Sequence, residues 1–320
     1  MKFVSFRNAL GTHGIGVLES DTTLVDITPL AHHSAPAGLS PMRALLHATD
    51  GRLTFGTNDF DGLDRIAIGT VDYDPIVPDP TKVIAAPVNY RDHQAEMMED
   101  YHIDSLGIFL KAPSSVIGHG GTITLPYTDR RFDQEGELAL VIGRTTRNVS
   151  VADALNAVAG YTCLLDITMR GGEDRSTRKS FDTFTPVGPY LVTPDEVGEL
   201  GALQLRTTVH GNLRQDADIS DLIWGVPELI AYASSVMTLH PGDIITTGTP
   251  AGIGQIIDGD TVSVDIDRIG ALTVNVSSLG AVVCPTKGAT RGPKPPAEVT
   301  PVRARASADL PSSATAKAPS

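Results

Sequence analysis

Two glutamates two residues apart, Glu135 and Glu137, lead directly into the apolar, β-prone run Leu138-Ala139-Leu140-Val141-Ile142. Successive side chains of a strand alternate between faces, so both carboxylates point to one side. Anions held side by side repel, and the pair is tolerated where something positive sits between them. A divalent cation that prefers oxygen ligands would serve, and a solvated strand end with two surface acids is the alternative. Upstream, Asn89-Tyr90-Arg91-Asp92-His93-Gln94-Ala95-Glu96 places His93 and Glu96 three apart, as neighbours on a helix face. A carboxylate bonded to one ring nitrogen leaves the other poised as a base near neutral pH, although the same spacing also occurs as an ordinary surface pair. Asp166 ends the apolar run Tyr161-Thr162-Cys163-Leu164-Leu165, where a buried acid needs a partner. Lys179 lies in Arg178-Lys179-Ser180-Phe181-Asp182, and Gly248-Thr249-Pro250-Ala251-Gly252-Ile253-Gly254 forms a tight loop directly after a strand. Lys111 reads either as a substrate contact or as a snorkelling surface lysine.

Other chemistries lack their signatures. The loop from Gly248 to Gly254 has no Gly-Lys-Ser/Thr ending, and no dinucleotide fingerprint precedes a helix. Without Gly-x-Ser-x-Gly, His119-Gly120-Gly121 reads as a turn rather than an oxyanion loop. His32-His33 reads as a loop pair, and no His-Glu-x-x-His suggests zinc. Two cysteines, Cys163 and Cys284, without paired spacing argue against a disulfide framework or a zinc ribbon.

The elements that must position these residues are mostly strands. The 320 residues, 41% hydrophobic and 20% charged, read as a soluble globular chain with a sizeable core. A formal charge of -13 disfavours nucleic acid and anionic membranes as partners. No apolar run approaches a bilayer span and no secretory segment is evident, so a cytoplasmic location is expected. Residues 1–75 read as a small β-rich N-terminal domain with one helical patch at Pro41–His47. Pro75, Pro78 and Pro80 mark its boundary. Residues 80–284 contain strands near 82–86, 137–142, 190–192, 243–247 and 261–266, with helices expected over 150–159, on a Ser150/Asp153 cap, and from Pro227 to Met237. Helices do not alternate strictly with strands, which excludes a doubly wound sheet or a (β/α)8 barrel and favours an α+β, mostly β domain. Residues 285–320 carry six Lys or Arg against two acids, are rich in Pro, Ala, Ser and Thr, and read as a disordered basic tail.

Six short motifs occurring in one order make the chain resemble the fumarylacetoacetate hydrolase family over roughly residues 80 to 283. They are Asn89-Tyr90-x-x-His93-x-x-Glu96, Phe109-x-Lys111-x-Pro113, Glu135-x-Glu137-Leu138, Asp166-x-x-x-Arg170, Lys179-Ser180-Phe181-Asp182 and Thr247-Gly248-Thr249-Pro250-x-Gly252. The resemblance implies a mixed β-roll catalytic domain, usually a homodimer, holding one Mg2+ or Mn2+. It implies Glu135, Glu137 and Asp166 as metal ligands, and His93 and Glu96 as a base dyad on a mobile lid extending from about Asp92 to Leu106. Lys179, Arg170 and Thr249 would contact substrate. The chain departs from the family pattern at Glu173 and Arg178, where a polar amide and a glycine are usual, and these changes bear on the substrate.

Three carboxylate ligands suit a hard cation and leave octahedral positions for the carboxylate and keto oxygens of a 2-oxo acid. The expected reaction is hydrolysis of a carbon–carbon bond in an acylpyruvate-like 1,3-diketo acid, in aromatic or sugar-acid catabolism. His93 would activate water, and the cation and Lys179 would hold the developing enolate. Decarboxylation of a 2-oxo acid or isomerisation of a 2-hydroxydienoate would use the same enolate without water. A non-catalytic metal-binding protein is the reading from a different class.

Overall fold

A computed structural model describes residues 1–31, 36–292 and 294–302. The His32-His33 pair and residues 303–320 of the expected tail lie outside the described residues. The architecture is the expected α+β, mostly β one, and the longest helix among the described residues is Val226–Val236. No helix is long and apolar enough to cross a membrane, among the described residues.

The largest sheet runs in the order Arg65–Ala67, Thr23–Asp26, His13–Ser20, Lys2–Arg7, Thr185–Val192, Val158–Leu165, Gly136–Ile142, Ile244–Thr246, Val83–Ala85 and Phe109–Lys111. The β-rich N-terminal part therefore joins the rest edge to edge, with Lys2 opposite Val192 and Phe3 opposite Leu191. A second sheet of five strands is Asn212–Asp218, Gln204–Val209, Thr261–Ile266, Gly270–Ser277 and Thr122–Thr124.

The strand Gly136–Ile142 is buried along its whole length. Its alternation feeds two cores, which explains why it reads as a continuous apolar run. Leu138, Leu140 and Ile142 pack with Leu205, Val262, Val264 and Leu272 of the five-stranded sheet. Ala139 and Val141 pack with Phe3, Ile15, Leu45 and Leu191 on the N-terminal side. Glu135 and Glu137 thus emerge from a strand enclosed on both faces.

One helix expectation fails. Ser150 Oγ does accept from Asp153 N at 3.2 Å and donate to Asp153 Oδ2 at 2.7 Å, but the cap opens only a turn and a 3-10 helix at Ala154–Ala157. The chain then becomes the strand Val158–Leu165, whose ladder with Gly136–Ile142 runs from Gly136 opposite Leu165 to Ile142 opposite Val158. The β-branched and aromatic content of Val158, Tyr161 and Thr162, paired on both sides, outweighs a local cap. The helix at Val226–Val236 forms with Pro227 in its first turn, as expected.

Part of the stretch expected to be disordered has a defined path. Gly172 N donates to Gly288 O at 2.9 Å, Arg130 Nη2 to Thr286 Oγ1 at 2.6 Å and Arg131 Nη1 to Pro296 O at 3.0 Å. These bonds need no large apolar side chain, so composition alone does not reveal them.

The loop after the strand Ile244–Thr246 depends on backbone freedom at Gly252. Its φ is +100°, and a Cβ there would lie 1.9 Å from Arg214 O. Gly252→Ala should therefore lower the unfolding free energy by about 2 kcal/mol or more, read from the shift of a denaturant midpoint at unchanged slope. An unshifted midpoint would show that the loop has an alternative path.

Candidate metal centre and base dyad

Glu135, Glu137 and Asp166 come together, each buried, with ligand oxygens within 4.8 Å of one another. Glu135 sits at the joint between the short strand Phe132–Gln134 and Gly136–Ile142, and Asp166 follows Val158–Leu165 on the neighbouring strand. Asp166 N donates to Glu135 O at 2.8 Å, which ties the two residues together through the backbone.

Cations surround the three acids. Lys179 Nζ donates to Glu135 Oε2 at 2.7 Å and to Asp166 Oδ2 at 2.5 Å. Arg170 spans Asp133 and Glu135, with Nε 2.7 Å from Asp133 Oδ2 and Nη2 2.8 Å from Glu135 Oε1. Lys111 is neither a surface lysine nor a free substrate contact. It is fully buried and donates to Asp166 Oδ1 at 2.5 Å and Phe184 O at 2.9 Å. Burial pushes its ammonium pKa down, Asp166 opposes this and Lys179 adds to it.

Glu137 is set apart. It accepts from Thr246 Oγ1, and from Gly248 N at 2.8 Å, but pairs with no Lys or Arg among the described residues. Burial first, then the charges of Asp166 and Glu135, push its carboxyl up to about 8, against the opposing pull of Lys179 and the Thr246 hydroxyl. Burial would also raise Glu135, yet Lys179 and Arg170 hold it far below the usual carboxylate range. Three carboxylates converging from two segments, one of them lacking a cationic partner, fit a hard divalent cation.

The dyad forms as its spacing predicts. On the helix Arg91–Glu96, His93 Nδ1 lies 3.0 Å from Glu96 Oε2, and both side chains are buried. The other Glu96 oxygen accepts from Gly252 N at 2.9 Å, so the glycine loop orients the carboxylate that orients the imidazole. Thr249 has its hydroxyl engaged, donating to Gly136 O at 3.0 Å and accepting from Gln215 Nε2 at 2.7 Å. His93, Met97, Glu135, Glu137, Arg170, Arg178, Lys179 and Thr249 line one cleft.

Three contributors are missing from the sequence-based set. Asp133 continues the period-two series of Glu135 and Glu137, and that alternation was the available signal. Gln215, which accepts from Gly136 N at 2.8 Å and donates to Pro250 O at 2.8 Å, comes from the five-stranded sheet and gives no local signal. Thr246 gives none either. Glu173 pairs with Arg130 and Thr286, close to Gly288 rather than in the cleft. Glu173 does not line the cleft, whereas Arg178 does.

Comparison with known proteins agrees with this geometry. The family model for the fumarylacetoacetate (FAA) hydrolase C-terminal domain matches residues 82–277. A maleylpyruvate hydrolase from Aquipseudomonas alcaligenes is 42% identical over 281 residues, 83% of this chain and 96% of that protein. The oxaloacetate tautomerase YisK of Bacillus subtilis is 39% identical over 230 residues, 68% of this chain and 76% of that protein. The crystal structure of maleylpyruvate hydrolase from Sphingobium sp. SYK-6 in complex with manganese(II) ion and pyruvate is 36% identical, with a TM-score of 0.73, covering 87% of this chain and 99% of that one.

Without an ion, a Glu137 carboxyl near 8 is protonated at neutral pH, so a cation must displace that proton to bind. Mn2+ should release about one proton per ion at neutral pH, and its apparent affinity should fall about tenfold per pH unit below 8. Calorimetry in buffers of different ionisation enthalpy measures both, and affinity independent of pH across that range would show that Glu137 is already ionised before the ion binds.

Proposed function

The chain belongs to the fumarylacetoacetate hydrolase family, and from that premise we propose that it is a divalent-metal-dependent hydrolase of an acylpyruvate-type 1,3-diketo acid such as maleylpyruvate. The substrate carries a 2-oxo acid at one end and the acyl carbonyl that water attacks toward the other. The setting is aromatic-compound catabolism. The observation that carries this reading is the His93–Glu96 dyad, buried in the same cleft as the carboxylate triad. Tautomerisation would use the same dyad to move a carbon-bound proton, and the greater identity and coverage of the maleylpyruvate hydrolase over the tautomerase favour its use on water.

Glu135, Glu137 and Asp166 are proposed to hold one Mg2+ or Mn2+, which when bound polarises the oxygens of the 2-oxo acid. Lys179 brings fixed positive charge beside Glu135 and Asp166, where negative charge builds as the carbon–carbon bond breaks. Arg170, held by Asp133 and Glu135, would orient the substrate carboxylate in the cleft that Thr249 also lines. Glu96 keeps the Nδ1 of His93 occupied, which leaves Nε2 to take a proton from water. The hydroxide adds to the acyl carbonyl, the carbon–carbon bond breaks with its electron pair on the pyruvyl carbon, and that carbon takes up the proton His93 received. The products are pyruvate and the acyl-derived acid. One imidazole thus serves as base and then as acid.

The same reading includes a homodimer and a cytoplasmic location. Exposed Leu279, Val282 and Val283 supply an apolar stretch that a second copy would cover, and family resemblance supports the pairing.

His93→Ala should lower the rate of maleylpyruvate hydrolysis by about 100-fold or more while Mn2+ affinity stays within about threefold, because the imidazole acts on water rather than on the ion. Steady-state kinetics and calorimetry on the same preparation test this. Full hydrolysis by the variant would eliminate the dyad. A wild type that only enolises or decarboxylates 2-oxo acids would replace hydrolysis with the other chemistry on the same residues.

A further inference from the structure

Arg178 stands where the family pattern has glycine, and the structure gives its guanidinium no partner for two of its nitrogens. It is 5% exposed, and its Nε and Nη1 atoms are buried without a hydrogen-bond acceptor among the described residues. Buried guanidinium nitrogens are ordinarily bonded, and leaving them unpaired costs free energy that an acceptor in reach recovers, an anionic one most strongly. The short helix Arg175–Arg178 sets Arg175 and Arg178 three apart, on one face, and both line the cleft. Burial, followed by repulsion from Arg170 and Arg175, depresses the pKa of Arg178, and Glu135 only partly offsets this. Glu99 lines the same cleft yet forms an ion pair with neither arginine. The cleft therefore has two electrostatic ends. At one, Arg170 and Lys179 are already neutralised by Asp133, Glu135 and Asp166. At the other, Arg175 and Arg178 line the cleft and make no direct ion pair among the described residues, Glu135 and Asp166 acting on Arg178 only through space.

We propose that Arg178, assisted by Arg175, is a second carboxylate site that makes the enzyme selective for dicarboxylic over monocarboxylic acylpyruvates. This rests on the reading of the cleft as an acylpyruvate hydrolase site. The 2-oxo acid end occupies the carboxylate triad and Lys179, and the far carboxylate of the same molecule reaches the guanidinium fork. A planar fork bonds a carboxylate through paired, charge-assisted hydrogen bonds that an ammonium cannot reproduce. A substrate ending in methyl would leave the arginine buried and unpaired, and sites with unpaired polar groups reject such analogues strongly.

The test uses the Mn2+-loaded full chain and two unreactive probes of equal length, 2-oxoheptanedioate and 2-oxoheptanoate, measured by calorimetry. The wild type should prefer the diacid. Arg178→Met should lose about 30-fold in affinity for the diacid and less than about threefold for the monoacid, at unchanged Mn2+ affinity. Arg178→Lys, which keeps the charge without the fork, should recover only part of the loss. Equal affinity of the wild type for both probes, or equal losses on both in Arg178→Met, overturns the assignment. Maleylpyruvate turnover by the wild type is measured separately. A diacid preference that depends on Arg178 in a protein without hydrolase activity sinks the hydrolase reading and leaves the carboxylate site. Hydrolysis with no such dependence does the reverse.

Discussion

Everything near the cleft follows from the need to bury four carboxylates, Asp133, Glu135, Glu137 and Asp166, within a few residues of one another in space. Isolated buried anions neutralise themselves by taking protons, so their charge persists only where cations and donors are built in. Here Lys179 bridges Glu135 and Asp166, Arg170 bridges Asp133 and Glu135, and Lys111 closes the far side of Asp166. Glu137 is left to a hydroxyl and a backbone amide. That asymmetry separates the four acids into three paired with Lys or Arg and one with no such pair, which is why a metal reading suits this cluster better than a closed structural salt-bridge network.

The fold supplies the rigidity such a cluster demands. Gly136, the residue between the two glutamates, has no room for a side chain, because a Cβ there would lie 2.0 Å from Thr207 Oγ1 of the five-stranded sheet. The close approach lets Gln215 accept from Gly136 N while donating to Thr249 Oγ1 and Pro250 O, which joins the glutamate strand to the glycine loop. The loop then passes from Gly248, whose amide bonds Glu137, to Gly252, whose amide bonds Glu96. Asn89 adds a third tie, donating to Thr247 O at 2.8 Å and to Trp224 O at 2.9 Å. One short loop therefore holds both the carboxylate cluster and the dyad. Displacement of that loop would shift both together, and the positional tolerance of catalysis makes such coupling valuable.

Local patterning makes part of this arrangement legible in the amino-acid sequence. The period-two glutamates and the i,i+3 His93/Glu96 pair are side-chain relations that strand and helix geometry determine by themselves, and both form in the structure. The strands at 136–142 and 261–266 and the helix begun by Pro227 likewise follow from residue type. Relations across elements are not legible in this way. The fully buried Lys111 resembles any lysine at a strand end until Asp166 is placed opposite it, and Gln215 resembles a surface amide on an alternating strand until the two sheets meet. The expected helix over 150–159 fails for the same reason, since a satisfied Ser150 cap is local whereas the pairing of Val158–Leu165 with two strands is not.

Departures from a family pattern carry information only once their surroundings are known. Glu173 and Arg178 both look disruptive in sequence, one by adding an acid and the other by adding a base beside the proposed catalytic lysine. The structure sorts them by what each faces. Glu173 meets Arg130 and Thr286 and is internally compensated, so it asks nothing of a ligand. Arg178 lines the cleft with two buried guanidinium nitrogens unbonded, and Glu135 and Asp166 offset only part of the effect of burial and of Arg170 and Arg175, which leaves room for a carboxylate from outside the chain. The groups that would act on the bond are thus fastened to one another, and the group that would read the remainder of the substrate is left unsatisfied. A site divided in this way can change the molecules it accepts by altering the helix Arg175–Arg178 without disturbing the four acids on which its chemistry would depend.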